Sequence, residues 1–244
     1  MSDLLIEEDG KTTIFTINRP HIKNAMNAEV IRTFATKLKE FEASDQRVAI
    51  ITGAGKHFSG GADVSDPPPT LWQGFPTLGV RSEKPIIAAV NGDCVGGALA
   101  LNIMCDLTIA SENARFHYPE AKFGLTGGIA AALAGRIPHK FAMEVLLLRR
   151  PVSAQRAYEM GMVNQVVPKG EALKAALAIA KEMEDMAPLV LKTLKRFVGE
   201  TLPVSPSEKM ARVARELEII RNSSDRTTGI AAFLADTVPV FEGK

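Results

Sequence analysis

Two short apolar runs, each leading into a glycine-rich loop, constrain the fold of this chain more than any other feature. Residues 48–52 (VAIIT) and 86–90 (IIAAV) are almost wholly apolar, and a turn that contains glycine closes each of them. Strands that are covered on both faces, as in a parallel sheet, have this composition. Because strand-like, turn-like and helix-like segments alternate over the first two-thirds of the chain, we expect an α/β fold.

The spacing of apolar residues and the positions of prolines predict the neighbouring elements. Residues 12–18 (TTIFTIN) are rich in β-branched and aromatic side chains and predict a strand, which Pro20 ends. After Asn27, apolar residues recur at intervals of three or four and predict an amphipathic helix. These apolar residues are Val30, Ile31, Phe34, Leu38 and Phe41. Residues 65–82 contain three consecutive prolines and no clean apolar period, so we expect a mobile functional loop there.

The last third of the chain has a helical character. Ser153 is a candidate N-cap of a helix that Gly161 ends, and residues 163–167 form the last predicted strand. Beyond it, helical apolar spacing with proline punctuation predicts helices at residues 171–186, 189–198 and 207–220. We therefore divide the chain into a core of residues 1–185 and a helical C-terminal segment of residues 186–244, which we expect to cover the core or a partner subunit.

Composition excludes several classes of function. With 29 Lys+Arg against 28 Asp+Glu the formal net charge is +1, so the bulk charge favours neither nucleic acid nor an anionic membrane as a partner. Cys94 and Cys105 lack metal-ligand spacing, and a pairing of His117 with Glu120 lacks a third ligand, so no metal site is predicted. The chain shows no signal-peptide pattern and no apolar stretch near the length of a membrane span. We expect a cytoplasmic protein.

Two loops with paired glycines are the strongest functional signal. Residues 58–63 (FSGGAD) and 91–98 (NGDCVGGA) each follow an apolar strand, and their glycines let backbone N–H groups approach a ligand without an intervening Cβ. The second loop runs into an apolar helix, so its N–H groups face an interior site. Two such donors would form an oxyanion hole, whereas the alternative is that the glycine pairs only permit tight turns. Nucleotide binding by residues 53–58 is excluded, because Phe58 and His57 stand where the phosphate-binding motifs need Gly and Ser or Thr.

Several motifs in a fixed order extend over essentially the whole chain. They are NRP with KNAMN at residues 18–27, FSGGADV at 58–64, KPIIAAVNGDCVGGALAL at 84–101, CDLTIAS at 105–111, ARFHYPEAKFGL at 114–125 and SAQRAYEMGMVNQVVP at 153–168. In these motifs the chain resembles the crotonase superfamily, the enoyl-CoA hydratase/isomerase family. The resemblance implies a crotonase-like spiral of ββα repeats with a helical C-terminal oligomerisation segment, assembly as a homotrimer or a dimer of trimers, and an acyl-CoA thioester as substrate.

The resemblance also implies roles for individual residues. The backbone N–H groups of Ala62 and Gly97 would hold the thioester carbonyl, and Glu120 would be the catalytic acid and base. Substrate contacts are implied for Lys23, Ala25, Met26, Gly60, Asp63, Gly96 and Phe233, the last of which would approach the CoA of a neighbouring subunit. No cofactor is implied other than the coenzyme A that the substrate carries.

One departure from the family pattern bears on the reaction. The hydratases of this family use two glutamates, and this chain has Ala100 where the first is expected, three residues after Gly97. A single carboxylate suits a 1,3-proton shift, so isomerase-type chemistry is favoured. Two alternatives stay open: an enoyl-CoA hydratase (a lyase) in which another group replaces the first glutamate, and a protein that binds acyl-CoA without converting it. The candidates for a replacement group are His57, Asp93, His117 and Tyr118.

Overall fold

A six-stranded sheet lies at the centre of the structure, a computed structural model that describes residues 2–244. The strands in these residues are β1 (Leu4–Asp9), β2 (Thr12–Ile17), β3 (Val48–Gly53), β4 (Ile86–Val90), β5 (Asp93–Val95), β6 (Leu107–Ser111), β7 (Arg115–His117), β8 (Val152–Ser153) and β9 (Gln165–Val167). The large sheet has the order β1-β2-β3-β4-β6-β9; its first pair is antiparallel and every other pair is parallel. The small sheet has the order β5-β7-β8. Because β3 and β4 are parallel neighbours, the loops that follow them emerge at the same edge of the sheet.

Most α-helices of the described residues begin and end near predicted positions, but the helices at His139–Leu147 and Ser224–Leu234 were not predicted. They are α1 (Ala28–Ala43), α2 (Gly97–Ile103), α3 (His139–Leu147), α4 (Ala154–Glu159), α5 (Ala172–Glu184), α6 (Pro188–Thr201), α7 (Pro206–Arg221) and α8 (Ser224–Leu234). The Asn27 side chain accepts a hydrogen bond from the Val30 N–H at 3.0 Å and so caps α1, whose buried residues are the five identified by spacing. Ser153 caps α4 in the same way, and Gly161 follows it with a φ of 79°.

Apolar residues cover both faces of the two central strands. Every residue of β3 and β4 is buried, as their composition predicts. Side chains alternate along a strand, so Ile51 packs into the larger core on the α1 side, and Ile50 packs into a second core against α5. The fully buried residues of α5 in that second core are alanines, Ala172, Ala176 and Ala180, which let the helix approach the sheet closely.

Part of the segment predicted to be a mobile functional loop, residues 65–82, is packed into the core. A short 3₁₀ helix spans Leu71–Gly74, and Phe75 and Leu78 beside it are almost wholly buried in the larger core. Gly74 packs directly on α1, where a Cβ would lie 2.9 Å from the carbonyl oxygen of Ile31. This segment has no helical period because one 3₁₀ turn is too short to show one, so its packing comes from tertiary contacts.

The C-terminal helices differ from the core because many of their large apolar side chains are exposed. Side chains of this kind are at least 50% exposed along α6, α7 and α8: Leu189, Val190, Leu194, Phe197, Val198, Met210, Val213, Ile219, Ile220, Ile230, Phe233 and Leu234. A single chain therefore leaves an extensive apolar surface on this segment. Within residues 2–244, no helix is both long and apolar enough to cross a membrane.

Candidate active site

The loop after β3 is held against residues 23–26 by backbone hydrogen bonds. The Met26 N–H donates to the Gly61 carbonyl at 2.7 Å, and the Asp63 N–H donates to the Met26 carbonyl at 2.9 Å. The Gly60 N–H donates to the Lys23 carbonyl at 2.8 Å. These contacts leave the intervening Ala62 N–H without an acceptor among residues 2–244.

The loop after β4 joins the first loop through β5. The Phe58 N–H donates to the Asp93 carbonyl at 3.1 Å, and the Val95 N–H donates to the Ser59 carbonyl at 3.0 Å. Gly96 then turns the chain at a φ of 56°, and α2 begins at Gly97. The N–H of a first helical residue has no partner within its own helix, and that of Gly97 finds no acceptor elsewhere in the described residues.

The two unpaired N–H groups, those of Ala62 and Gly97, lie close together. A Cβ placed on Gly97 would lie 3.4 Å from the Ala62 nitrogen. Gly61 has a φ of 95°, and a Cβ there would lie 2.6 Å from the Val95 carbonyl oxygen. No other residue fits this approach, because that oxygen belongs to the backbone of a paired strand. A carbonyl oxygen between Ala62 and Gly97 could accept both hydrogen bonds, as an oxyanion hole requires.

The Glu120 carboxylate lies beside this point. Glu120 begins a 3₁₀ helix that ends at Phe123, and its Oε1 lies 3.3 Å from the position that a Cβ on Gly96 would take. The Gly96 N–H donates to the His117 carbonyl at 2.8 Å, which ties this segment to the glycine loop. Two N–H donors and one carboxylate therefore lie around the Gly96–Gly97 turn.

The helix that begins at Gly97 supplies no second acid. Ala100 is 5% exposed, and its N–H donates to the Gly96 carbonyl at 3.3 Å, so it lies one turn into α2. The sequence of α2, GALALNI, contains no ionisable side chain. The side chain of Leu71 contacts the position that a Gly97 Cβ would take. Sequence reasoning did not identify Leu71, because only the tertiary packing of the Leu71–Gly74 turn brings it there.

Asp63 takes part in a network that fixes the first loop. Its carboxylate accepts hydrogen bonds from the Ser65 hydroxyl at 2.6 Å and from Arg19 Nη1 at 2.9 Å. The bond from Ser65, together with Arg19, lowers the pKa of Asp63 to about 2. Arg19 Nη1 also donates to the Ala25 carbonyl at 2.8 Å. The carboxylate is thus engaged within the chain, although sequence reasoning assigned Asp63 to the substrate.

The other residues predicted to contact substrate lie in different environments. Lys23 is exposed and takes the left-handed conformation at a φ of 57°. Ala25 is partly buried, whereas the Met26 side chain is fully buried in the core and only its backbone borders the loop. Phe233 lies on α8 with 84% of its surface exposed.

The candidates for a second catalytic group make different contacts. His57 Nδ1 lies 3.2 Å from Asp93 Oδ2, and Arg115 Nε lies 3.2 Å from the other oxygen of Asp93. His117 Nε2 lies 3.1 Å from the Arg149 carbonyl oxygen. The Tyr118 hydroxyl lies 2.9 Å from the Thr126 Oγ1.

A large cavity lies elsewhere, between the core and the C-terminal helices. Its volume is about 480 Å³, and its wall includes the C-terminal end of α2 with parts of α6 and α7. The Arg136–Glu208 ion pair, 3.1 Å long, is part of that wall. None of Ala62, Gly97 and Glu120 lines the cavity, so it is distinct from the candidate active site.

Comparison with known proteins identifies the family to which this chain belongs. The profile described as "Enoyl-CoA hydratase/isomerase" matches residues 7–244. The chain belongs to the enoyl-CoA hydratase/isomerase family, within the crotonase superfamily, whose enzymes act on acyl-CoA, and its predicted crotonase-like fold is confirmed.

Its relatives match over nearly full length. The chain is 31% identical to the 2,3-dehydroadipyl-CoA hydratase of Escherichia coli, with 100% of each chain covered. It is 33% identical to the (E)-benzylidenesuccinyl-CoA hydratase of Thauera aromatica, with 98% of each covered. Among solved structures, the enoyl-CoA hydratase of Mycobacterium tuberculosis matches with a TM-score of 0.77, 33% identity and 99% of each chain covered.

Proposed function

We propose that this enzyme moves a double bond within an acyl-CoA thioester by a 1,3-proton shift through an enolate. The observation that carries this proposal is a single carboxylate, Glu120, beside the unpaired N–H groups of Ala62 and Gly97, with Ala100 on the helix between them. Hydration in this family employs two glutamates. One carboxylate is sufficient when the same proton leaves one carbon and returns to another.

Each step of the reaction uses a group at this site. The thioester oxygen accepts hydrogen bonds from the Ala62 and Gly97 N–H groups, and Glu120 takes a proton from C2 or C4. The electron pair left on carbon delocalises onto the oxygen, where the two donors stabilise the charge; one donor of this kind contributes roughly 10²–10³ in rate. Glu120 then returns the proton to the other carbon, so no water or cofactor is consumed.

The second candidate function is hydration of a 2-enoyl-CoA. The observation that favours it is that the relatives of this chain named above are hydratases. In this case a group other than a glutamate on α2 would have to orient the water. A protein that binds acyl-CoA without turnover is the third possibility, and any measured turnover excludes it.

Glu120→Gln tests the proposed role of the carboxylate. The amide keeps the shape of Glu120 but cannot accept a proton, so kcat should fall by roughly 10²–10⁴ while acyl-CoA affinity changes little. A panel of 2-enoyl-, 3-enoyl- and 3-hydroxyacyl-CoAs, with mass analysis that separates isomers from hydrates, identifies the reaction. Glu182→Gln, at an exposed glutamate of α5, is the matched control. Near-normal turnover by Glu120→Gln would contradict the proposal.

We also propose that the chain assembles as a homotrimer or a dimer of trimers through its C-terminal helices. The support is the apolar surface of α6–α8, where Phe233 is 84% exposed in a single chain. In such an assembly Phe233 would contact the CoA of a neighbouring subunit, while Lys23 and Ala25 would border the CoA of their own. Sedimentation at micromolar concentration should show a trimer or hexamer, and a compact monomer would remove the cross-subunit contact.

A further inference from the structure

The cavity between the core and the C-terminal helices is lined by two amide groups whose N–H donors are unused. These groups belong to Asn102 on α2 and to Asn164 just before β9. The Asn102 Oδ1 accepts a hydrogen bond from the Thr108 Oγ1 at 3.0 Å, and the Asn164 Oδ1 accepts one from the Thr108 N–H at 2.8 Å. With each oxygen held in this way, the Nδ2 atoms are left to donate, and neither has an acceptor among residues 2–244.

The burial of Asn102 makes its unused donor informative. Asn102 is 2% exposed, and Thr108, which holds both amides, is 4% exposed. A buried N–H group without an acceptor carries a cost in free energy, because folding has removed it from water. A molecule that places an oxygen acceptor in the cavity would remove that cost.

The charged side chains of the cavity wall leave one positive charge unpaired. Lys195 Nζ lies 2.7 Å from Asp106 Oδ2, and Arg136 Nη2 lies 3.1 Å from Glu208 Oε1. The remaining charged group is Arg212 on α7, which has no ion-pair partner among the described residues. Because Arg212 lines the cavity and is also exposed, it lies where the cavity opens to solvent. The wall therefore favours a molecule with one negative charge.

Most of the remaining wall is apolar. Leu133 and Ile137 line the cavity on the core side, and Leu191, Leu194 and Val198 line it on α6. Its volume of about 480 Å³ lies within the range of about 300–1,000 Å³ that is typical of pockets for small organic molecules. Such a wall suits an alkyl chain, whereas the amides and Arg212 suit an anionic oxygen group.

We propose that this cavity is a binding site for an alkyl carboxylate, a fatty-acid-like molecule. The chain would lie between the core and α6, the Asn102 and Asn164 amides would donate to the carboxylate, and Arg212 would attract its charge. The site uses none of Ala62, Gly97 and Glu120, so this inference does not depend on the proposed reaction. Asn102 lies five residues after Gly97 on the same helix, so the molecule would contact the far end of α2.

Calorimetric titration of the full-length protein with decanoate tests this proposal. Butyryl-CoA, a saturated thioester, is present at saturation so that the active site is occupied. Decanoate should bind at one site per chain, and hexanoate should bind about tenfold or more weakly because it buries fewer methylene groups. Decylammonium should show no binding, because it carries the same sign of charge as Arg212. Displacement of decanoate by butyryl-CoA would locate its binding in the active site and overturn the proposal.

Two substitutions at exposed positions locate the carboxylate. Asn164→Asp keeps the oxygen that the Thr108 N–H binds but replaces the donor with a second acceptor, so decanoate affinity should fall about tenfold or more. Arg212→Gln removes the unpaired charge and should weaken binding about two- to fivefold, the range for an exposed ion pair.

Arg221→Gln is the matched control, because Arg221 is an exposed arginine of α7 that does not line the cavity. Its affinity for decanoate should equal that of the parent. Parent-like affinity in Asn164→Asp or in Arg212→Gln, or binding of decanol as tight as that of decanoate, would overturn the proposal.

Discussion

The two sides of the candidate active site differ in whether backbone or side-chain groups form them. The oxyanion side consists of backbone N–H groups on buried loops, and Gly61, Gly96 and Gly97 are all buried. The acid–base side consists of side chains on a partly exposed segment, in which residues 117–120 are half-buried and residues 121–127 are exposed. A backbone site cannot change without disturbing its packing, whereas one side chain can be exchanged at little structural cost. In the proposed function, the oxyanion side would therefore fix the substrate class, and the acid–base side would select the reaction.

The largest effect on kcat should come from a substitution that fills the oxyanion side of the site. Gly97→Ala places a methyl group 3.4 Å from the Ala62 nitrogen, in the space a thioester oxygen needs, and should lower kcat by roughly 10²–10³. The fold should survive, because the closest neighbour of that methyl is the flexible end of the Leu71 side chain. Steady-state kinetics measure the loss, and Gly199→Ala on α6, where a Cβ meets nothing within 4 Å, is the control. Parent-like turnover by Gly97→Ala would mean that the oxygen binds elsewhere.

The next largest effect, on hydrate formation, should come from adding a second carboxylate opposite Glu120. Ala100→Glu puts an acid one helical turn from Gly96, where it and Glu120 could hold a water, so hydrate formation from a 2-enoyl-CoA should rise about tenfold or more. Two nearby carboxylates should favour protonation of one of them, which supplies the acid and the base that hydration needs. A larger side chain at this buried position should also reduce stability.

Ala100→Gln is the matched control for that gain, since it has nearly the same volume and no charge. Mass analysis of the hydrate, on folded protein, compares the three forms. If the parent already hydrates at the higher rate and Ala100→Glu adds nothing, isomerisation is not the preferred reaction.

The smallest effect concerns the network that supports the backbone side. The pKa of Asp63 is about 2 in the folded protein and about 3.9 in an unfolded chain, so its ionised form stabilises the fold above pH ~4 and this contribution disappears as the pH falls toward 2. Asp63→Asn should therefore lower the free energy of unfolding by about 1–2 kcal/mol at pH 7 and by less at pH 3. Urea unfolding at both pH values measures this. Asp66→Asn, at an exposed position, should change neither value, and equal losses at both pH values would exclude the charge as the cause.

The elements predicted correctly are those whose signals are local in sequence. The Asn27 cap and the apolar spacing after it define α1, and the adjacent glycines of the two loops mark the places where backbones approach each other. Glu120 was identified only by resemblance, because nothing in its local pattern shows that its segment returns to Gly96.

Other features arise from contacts between residues far apart in sequence. Leu71 packs against Gly97, and the Thr126 and Tyr118 hydroxyls share a hydrogen bond, yet neither pair has a spacing that sequence reasoning could use. The strand β5 is three residues long and lies within a glycine-rich loop, so its pairing with β7 decides its conformation more than its composition does. The reaction itself depends on such tertiary contacts, which explains why the family was easier to predict than the chemistry.

Arg19 connects the first residues of the described chain to the oxyanion loop. Its Nε lies 3.1 Å from the Asp3 carboxylate while its Nη1 binds Asp63, and the Asn18 N–H donates to the Asp3 carbonyl at 2.8 Å. A deletion of residues 2 and 3 removes the Asp3 contacts and thus acts on the arginine that holds the loop carrying Ala62. Expression vectors for this enzyme should leave that end unmodified or restore it by cleavage before any rate is compared.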